Sequence, residues 1–277
     1  MITLLVGGLP VRLKEFHDLS FIENYGRVFS VFDEHNCGML SFGLVSPQGQ
    51  RIYLKYAGAP VINFPSDPAL AVRKLRLALP NYHNLQHPAL IRLISAHDSS
   101  SGCMGVFEWA EGLPLGPRPE GYSDFRTMPL VDRLRLFDMI CDFHAQAEAA
   151  GLCIAGLSDA HMIFDPRTGR LILSNIDDYL PLPSMNTKSR LPGSPLYLPP
   201  EGCRKGAAID ETSNVYTLAA LSHCFFGDRI DKTKEAWQAP EKLYQVVLRG
   251  LNENRGRRQQ SSGEFLSDWR AAVRSSR

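Results

Sequence analysis

The sequence predicts an α+β fold in which a β-rich first part precedes a larger, mainly helical second part. Two observations carry this. From Tyr25 to about Trp109, short runs alternate β-branched or aromatic residues with polar ones, the period-two pattern of half-buried strands. After Gly112 the apolar residues recur instead at the spacing of amphipathic helices. The expected division is residues 1–111 and residues 112–277, with no internal repeat or low-complexity linker between them.

In the first part, VFSVFDE, MLSFGLV and RIYLKYAG read as three strands, the last two joined by a Pro-Gln-Gly-Gln turn, and together they suggest an antiparallel meander. Ala69 to Leu79 has helical spacing, and Pro80 is expected to end it. ALIRLISAHD and CMGVFEWA read as two further strands. The stretch LPLGPRPEGYSDFRTMP then reads as a loop whose length, aromatics and prolines would suit recognition of a partner, or as an ordinary connection.

In the second part, PLVDRLRLFDMICDFHAQAEAAG places Leu130, Leu134, Leu136, Phe137, Ile140 and Phe143 on one broad face and stops at a glycine. HMIFDPRTGRLILSNI reads as two short strands around an Asp-Pro-Arg-Thr-Gly turn. Helices are expected from about Asn214 to Phe226, near Glu241 to Gly250, and from Ser261 onward.

With 277 residues, 44% of them hydrophobic, the chain can bury a sizeable core. Thirty basic against twenty-nine acidic residues leave a formal charge of +1, which gives no strong pull toward nucleic acid or an anionic membrane. The arginine-rich RGRRQQ and WRAAVRSSR read as solvated faces. Six cysteines form no C-x-x-C pair, which argues against a disulfide framework or zinc site and for reduced thiols in the cytoplasm. MITLLVGG lacks a basic flank and makes a poor secretory signal, and no apolar run has the length of a membrane span. His83 and His87 have i, i+4 spacing, but with no nearby glutamate and with a proline following they read as a structural turn.

A small β-lobe, a hinge and a helical lobe opening with helix, loop and hairpin is the order of elements in protein kinases, and several motifs agree in sequence order. IYLK, ending at Lys55, resembles the kinase strand whose lysine holds the nucleotide phosphates. Gly38 falls where the last glycine of the phosphate-covering loop would stand, HPALIRLI resembles the turn and strand after the first helix, and FEWAEG resembles the hinge, with Glu108 and Ala110 as its nucleotide contacts. GSPLYLPPEG resembles the end of an activation segment, with Glu201 as the APE glutamate and Arg258 as its buried ion-pair partner. SNVYTLAAL resembles the start of the long central helix. The likeness spans about Tyr25 to Trp269, is nearest to bacterial proteins labelled serine/threonine kinase-like, and implies a bilobal protein-kinase-like fold.

The departures from that family fall on its chemistry. In the catalytic loop, GLCIAGLSDAHMIFD puts Gly156 at the aspartate that accepts the substrate proton and His161 at the asparagine that binds metal. Asn175 stands at the metal-binding aspartate of the DFG motif, removing an anionic ligand for Mg²⁺. The phosphate loop reads DEHNCG, keeping only Gly38, with Asp33 and Glu34 expected to repel phosphate. Ala78 stands where a glutamate should meet Lys55.

The resemblance therefore implies a degenerate member, a pseudokinase acting in the cytoplasm as a binding or regulatory module. A protein partner is expected, with no catalytic residue and no metal site, and ATP bound weakly without Mg²⁺ or not at all. Lys55 is expected to hold a phosphate or to pair with Asp177 or Asp178. The alternative is an atypical ATP-dependent phosphotransferase or nucleotidyl transferase that uses Lys55 and Asp159, with Asp177 or Asp178 on a metal. The bland reading of Asp159 and Asp177 is turn-capping or solvated side chains. A small-molecule kinase of the aminoglycoside-phosphotransferase type is a weaker third possibility, because that group also keeps the missing acids.

Overall fold

A computed structural model describes residues 1–99, 101–116 and 119–276, with a mixed α+β architecture built on antiparallel sheets. The chain divides into two compact units, one of Met1–Gln86 with Ile91–Ala110 and one of His87–Leu90 with Glu111–Arg277. His87–Leu90 belongs to the second unit, where the Ala89 carbonyl accepts from the Leu173 N–H at 2.6 Å.

The first unit opens with a feature the sequence reading passed over. Strands β1 (Ile2–Val6) and β2 (Leu9–Leu13) pair as a hairpin through Gly7 and Gly8, whose φ values of +57° and +82° suit a two-residue turn that needs positive φ at both positions. A 3₁₀ turn over Ser20–Tyr25 follows. The main sheet has five strands, β3 (Arg27–Phe32), β4 (Met39–Val45), β5 (Arg51–Ala57), β6 (Leu93–Ser99) and β7 (Gly102–Glu108), in the order β3-β4-β5-β7-β6, all antiparallel.

Strand periodicity sorts the side chains of this sheet into two faces. Leu40, Phe42, Leu44, Leu54, Tyr56 and Val106 form a core with Val6, Val11 and Leu13 of the hairpin and with Leu19 and Ile22. The opposite face carries Ser41, Gly43, Tyr53, Lys55, Gly105 and Phe107, which the strand register sets side by side. Helix α1 (Pro68–Asn84) lies on this second face, close enough that a Cβ at Gly105 would stand 2.7 Å from Leu79 Cδ2.

Helix α1 starts with Asp67 accepting the Ala69 N–H at 2.8 Å and with Pro68 in the first turn, where its missing N–H costs nothing. The expectation that Pro80 ends the helix is wrong. One internal hydrogen bond is lost there, but buried Ala78, Leu79, Tyr82 and the capping Leu85 hold the last turn on the sheet.

In the second unit, the stretch read as a loop before the first long helix contains two elements. Strand β8 (Leu113–Pro114) pairs with the later hairpin, and helix α2 spans Pro119–Arg126. Pro117 and Arg118 of that stretch lie outside the described residues. Helix α3 (Leu130–Ala149) and the short strand β9 (Leu152–Cys153) follow. Next come the hairpin β10 (Met162–Asp165) and β11 (Arg170–Leu173), then β12 (Leu180–Pro181), β13 (Ser184–Met185) and β14 (Ala208–Ile209). Helices α4 (Glu211–Phe226), α5 (Glu241–Gly250) and α6 (Ser262–Arg274) complete the chain.

Helix α4 begins earlier than its apolar spacing suggests because Asp210 and Ser213 form a capping box. It is buried along nearly its whole length. Phe225 and Phe226 meet Phe137, and Trp269 of α6 lies 4.7 Å from Phe137 between ring centroids. Full burial of each such ring is worth roughly 1.5–3 kcal/mol, which makes this cluster the anchor of the helical unit. No helix among the described residues is long and apolar enough to cross a membrane.

Candidate functional site

In the first unit Lys55 lies on the α1-bearing face of the sheet, whereas Glu108, opposite Ile52, falls on the other face. Lys55 is in the interior strand β5, opposite Ser41 and Gly105, and is only 4% exposed. Its Nζ is 5.6 Å from the ring centroids of both Tyr82 and Phe107, a cation–π arrangement. Ala78, where a glutamate was sought, is buried, and Tyr82 one helical turn later supplies the α1 contact to the ammonium. Burial together with the Lys55 charge lowers the pKa of His35 on the β3–β4 connection, so its neutral form is favoured.

Gly38 precedes β4 with φ +79°, and a Cβ there would come within 2.8 Å of Ala71 Cβ. The two acids before it do not point as unpaired charges. Arg12 of β2 donates from Nη2 to Asp33 Oδ1 at 3.0 Å and to Glu34 Oε1 at 2.8 Å, and the Arg12 bond holds the Asp33 carboxyl below its ordinary pKa. The N-terminal hairpin thus sets one positive charge against these two carboxylates. At the end of β7, Glu108 donates its N–H to the Arg92 carbonyl at 3.0 Å and its carboxylate pairs with the Arg92 guanidinium at 2.5 Å. Ala110 is the last residue of the unit.

In the second unit, the loop from Ile154 to His161 is tied to α4. Asn214 accepts the Ile154 N–H at 2.7 Å and donates to Glu148 Oε2 at 2.9 Å. Gly156 has φ +73° and donates its N–H to the Pro192 carbonyl at 3.0 Å. A Cβ at Gly156 would stand 2.4 Å from Asp178 Cβ, so the half-buried Asp178 occupies the space a side chain would need.

Asp159 is 8% exposed and pairs with Arg229 Nη1 at 2.5 Å. The guanidinium of Arg229 lies 4.4 Å from the Tyr122 ring centroid, a cation–π contact. Neither turn-capping nor solvation describes this aspartate; it is one half of a shielded ion pair, and the turn is capped instead by Ser158, which accepts the Ala160 N–H at 3.2 Å. His161 closes that turn, its carbonyl accepts the Ser174 N–H at 2.7 Å, and its Nε2 lies 3.4 Å from Asn175 Nδ2. The Asn175 side-chain oxygen accepts the Asp177 N–H at 2.8 Å, a local turn that engages the atom a metal would have to share. Asp177 itself is buried.

Glu201 and Arg258 meet in the interior of the same unit. Arg258 Nη1 and Nη2 donate to Glu201 Oε1 and Oε2 at 2.7 and 3.2 Å, and Ser213 Oγ donates to Oε1 at 2.8 Å. Arg258 Nη1 and Nε also donate to the Thr212 and Asn252 carbonyls, which ties the pair to the backbone around it. Burial works to raise the Glu201 pKa, and the Arg258 and Ser213 bonds outweigh it, leaving the carboxyl below its ordinary value.

Of the remaining candidates, His87 turns its Nδ1 back to accept the Ala89 N–H at 3.0 Å, a local cap. Sequence reasoning missed Arg12, Tyr82, Tyr122 and Arg229. Each acts on a partner distant in the chain, and no local motif marks it. Among the described residues, no group of three or more His, Cys, Asp and Glu side chains could hold a metal ion. No family model and no curated protein matches the chain.

Proposed function

We propose that the chain is a protein-kinase-like fold that has lost phosphoryl transfer and works in the cytoplasm as a binding or regulatory module for a protein partner, a pseudokinase. One observation carries the reading. The loop GLCIAGLSDAHMIFD has, at the position of the proton-accepting aspartate, a glycine in the left-handed region with Asp178 packed against its Cα. A carboxylate there would have to displace Asp178.

Two further features point the same way. The side-chain oxygen of Asn175 is engaged by the Asp177 N–H, and Asp159, the acid nearest in sequence, is committed to Arg229. Phosphoryl transfer depends on positioning and on charge neutralisation around the transferred group. A loop that offers neither a free carboxylate base nor an anionic metal ligand at those places supplies little of either. Fold likeness does not specify function, so the weight falls on these residues and not on the order of elements.

The test is transfer of labelled γ-phosphate by the pure protein, to itself, to a generic protein acceptor and to water, with Mg²⁺ and with Mn²⁺. No turnover above buffer is expected. Metal-dependent turnover that disappears in both Asp159→Ala and Asp177→Ala would overturn the reading in favour of an atypical phosphotransferase.

A further inference from the structure

We infer that the sheet face carrying Lys55 is plugged by the protein's own aromatic side chains, Phe29, Tyr53 and Trp109, which exclude a purine ring from the place where a nucleotide held by Lys55 would put it. The inference rests on the kinase-like reading for the identity of the excluded ligand. The plug itself is a matter of geometry within the first unit.

Tyr53 and Lys55 are two residues apart on β5 and so share a face. The register sets Tyr53 opposite Gly43 on one side and Phe107 on the other, with Ile52 opposite Glu108. Tyr53 therefore occupies the stretch between Lys55 and the strand end at Glu108. A nucleotide with its phosphates at Lys55 and its base toward residues 108–110 must lie along that stretch. In the kinase motif V-A-I-K the corresponding residue is alanine. Here the ring of Tyr53 is fixed by its hydroxyl, which donates to Ser41 Oγ at 2.7 Å.

The neighbouring position is filled as well. The β3–β4 ladder shifts register between Val28 and Ser30, and the extra residue, Phe29, lays its ring over Gly43. A Cβ on Gly43 would stand 2.7 Å from Phe29 Cζ and 2.9 Å from Trp109 Cζ3, so only glycine lets both rings approach the sheet. Phe29 and Trp109 pack edge to face with centroids 5.0 Å apart. The Trp109 indole N–H is shielded and meets no acceptor among the described residues. Its ring is therefore held by packing, not by a polar anchor, and bulge, glycine and tryptophan act as one device.

The experiment titrates a fluorescent N-methylanthraniloyl ATP, without Mg²⁺, into the wild type, into Tyr53→Ala/Trp109→Ala, and into that double variant carrying Lys55→Ala, with circular-dichroism melts to show that each is folded. The double variant is expected to bind about tenfold or more tightly than the wild type, and Lys55→Ala to remove the gain. A folded double variant that binds no better than the wild type overturns the inference, as does a gain that persists without Lys55. Should the double variant not fold, Trp109→Leu, which keeps an apolar side chain on Phe29, carries the same comparison with the same deciding outcomes. Turnover by the wild type is read separately, by γ-phosphate release, so the plug and the loss of transfer fail independently.

Discussion

Glu201 and Arg258, far apart in sequence, form a two-bond ion pair in which the side chains are 2% and 0% exposed. The carboxylate belongs to the 3₁₀ turn before α4 and the guanidinium to the segment before α6, so the pair fastens two connections to the buried helix between them. Removing either partner strands a charge in the interior. Glu201→Ala and Arg258→Ala are each expected to cost about 3–5 kcal/mol in urea unfolding, and the double variant less than their sum. Arg76→Ala, which breaks a pair with Asp98 that is about half exposed on both sides, is expected to cost little, because solvent screens such a pair. Equal, small losses at all three positions would contradict the assignment of Glu201–Arg258 as a structural fastening.

Asp159 and Arg229 invite the opposite comparison, because Asp159 was the residue held open as a catalytic base. As a shielded pair it is expected to matter for folding first. Asp159→Ala leaves Arg229 facing Tyr122 without its counter-charge and is expected to lower stability by about 3 kcal/mol. Asp159→Asn keeps an acceptor for the guanidinium and is expected to lose less. Thermal melts of the two variants decide the matter, and a wild-type melting curve for Asp159→Ala would return this residue to the list of candidate bases.

The strand alternation of residues 27–57 and the Asp-Pro-Arg-Thr-Gly turn made the meander and the later hairpin legible, because both rest on interactions between near neighbours. What escaped was set by packing or by an overlooked cap. Pro80 reads as a stop, yet Tyr82 beyond it is held on the sheet, and the prolines and two glycines of residues 113–129 hide helix α2. Gly7-Gly8 was a readable hairpin turn, and Asp210 to Ser213 a readable cap. The candidate site was legible only as positions in an order. That Gly156 is walled by Asp178, that Arg12 covers Asp33, and that Phe29 and Trp109 lie on Gly43 are facts of tertiary approach, which spacing along one chain does not encode.

His144 gives the protein a specific acid sensitivity. Buried in α3, its Nδ1–H donates to the Ile140 carbonyl and its Nε2 accepts the Tyr179 O–H, both at 2.7 Å, which fixes the neutral ring. Burial lowers its pKa to about 4. Between that value and the ordinary histidine value near 6.5, the unfolded chain binds the extra proton, so stability falls as pH drops through this window. The loss approaches on the order of 3 kcal/mol by pH 4. Glu201, whose pKa is depressed, adds its own loss only at the acid end, below the ordinary glutamate range. Urea unfolding at pH 7, 5.5 and 4.5 is expected to show a steeper decline in the wild type than in His144→Gln, and parallel profiles would refute the role of this histidine.

The most direct way to ask whether the missing acids alone silence the molecule is to put them back, and the structure makes a definite forecast for that experiment. Gly156→Asp places a side chain at φ +73°, a region that costs a non-glycine residue roughly 1–2 kcal/mol, and sets its Cβ 2.4 Å from Asp178 Cβ before relaxation. The new carboxylate also faces that of Asp178 at close range. Gly156→Asp is therefore expected to lower the melting temperature by several degrees for a domain of this size. Asn175→Asp keeps the acceptor for the Asp177 N–H and is expected to leave the melting temperature near that of the wild type. The double variant Gly156→Asp/Asn175→Asp is expected to gain no phosphotransfer, because Ala78 still offers Lys55 no carboxylate and the aromatic rings still cover its face. Adding Asp178→Gly removes the side chain that walls Gly156 and should recover the part of the loss due to that contact, but not the part due to the positive φ. Recovery of stability without turnover separates crowding from chemistry, whereas metal-dependent turnover in the double variant would show that two carboxylates were all the loop lacked.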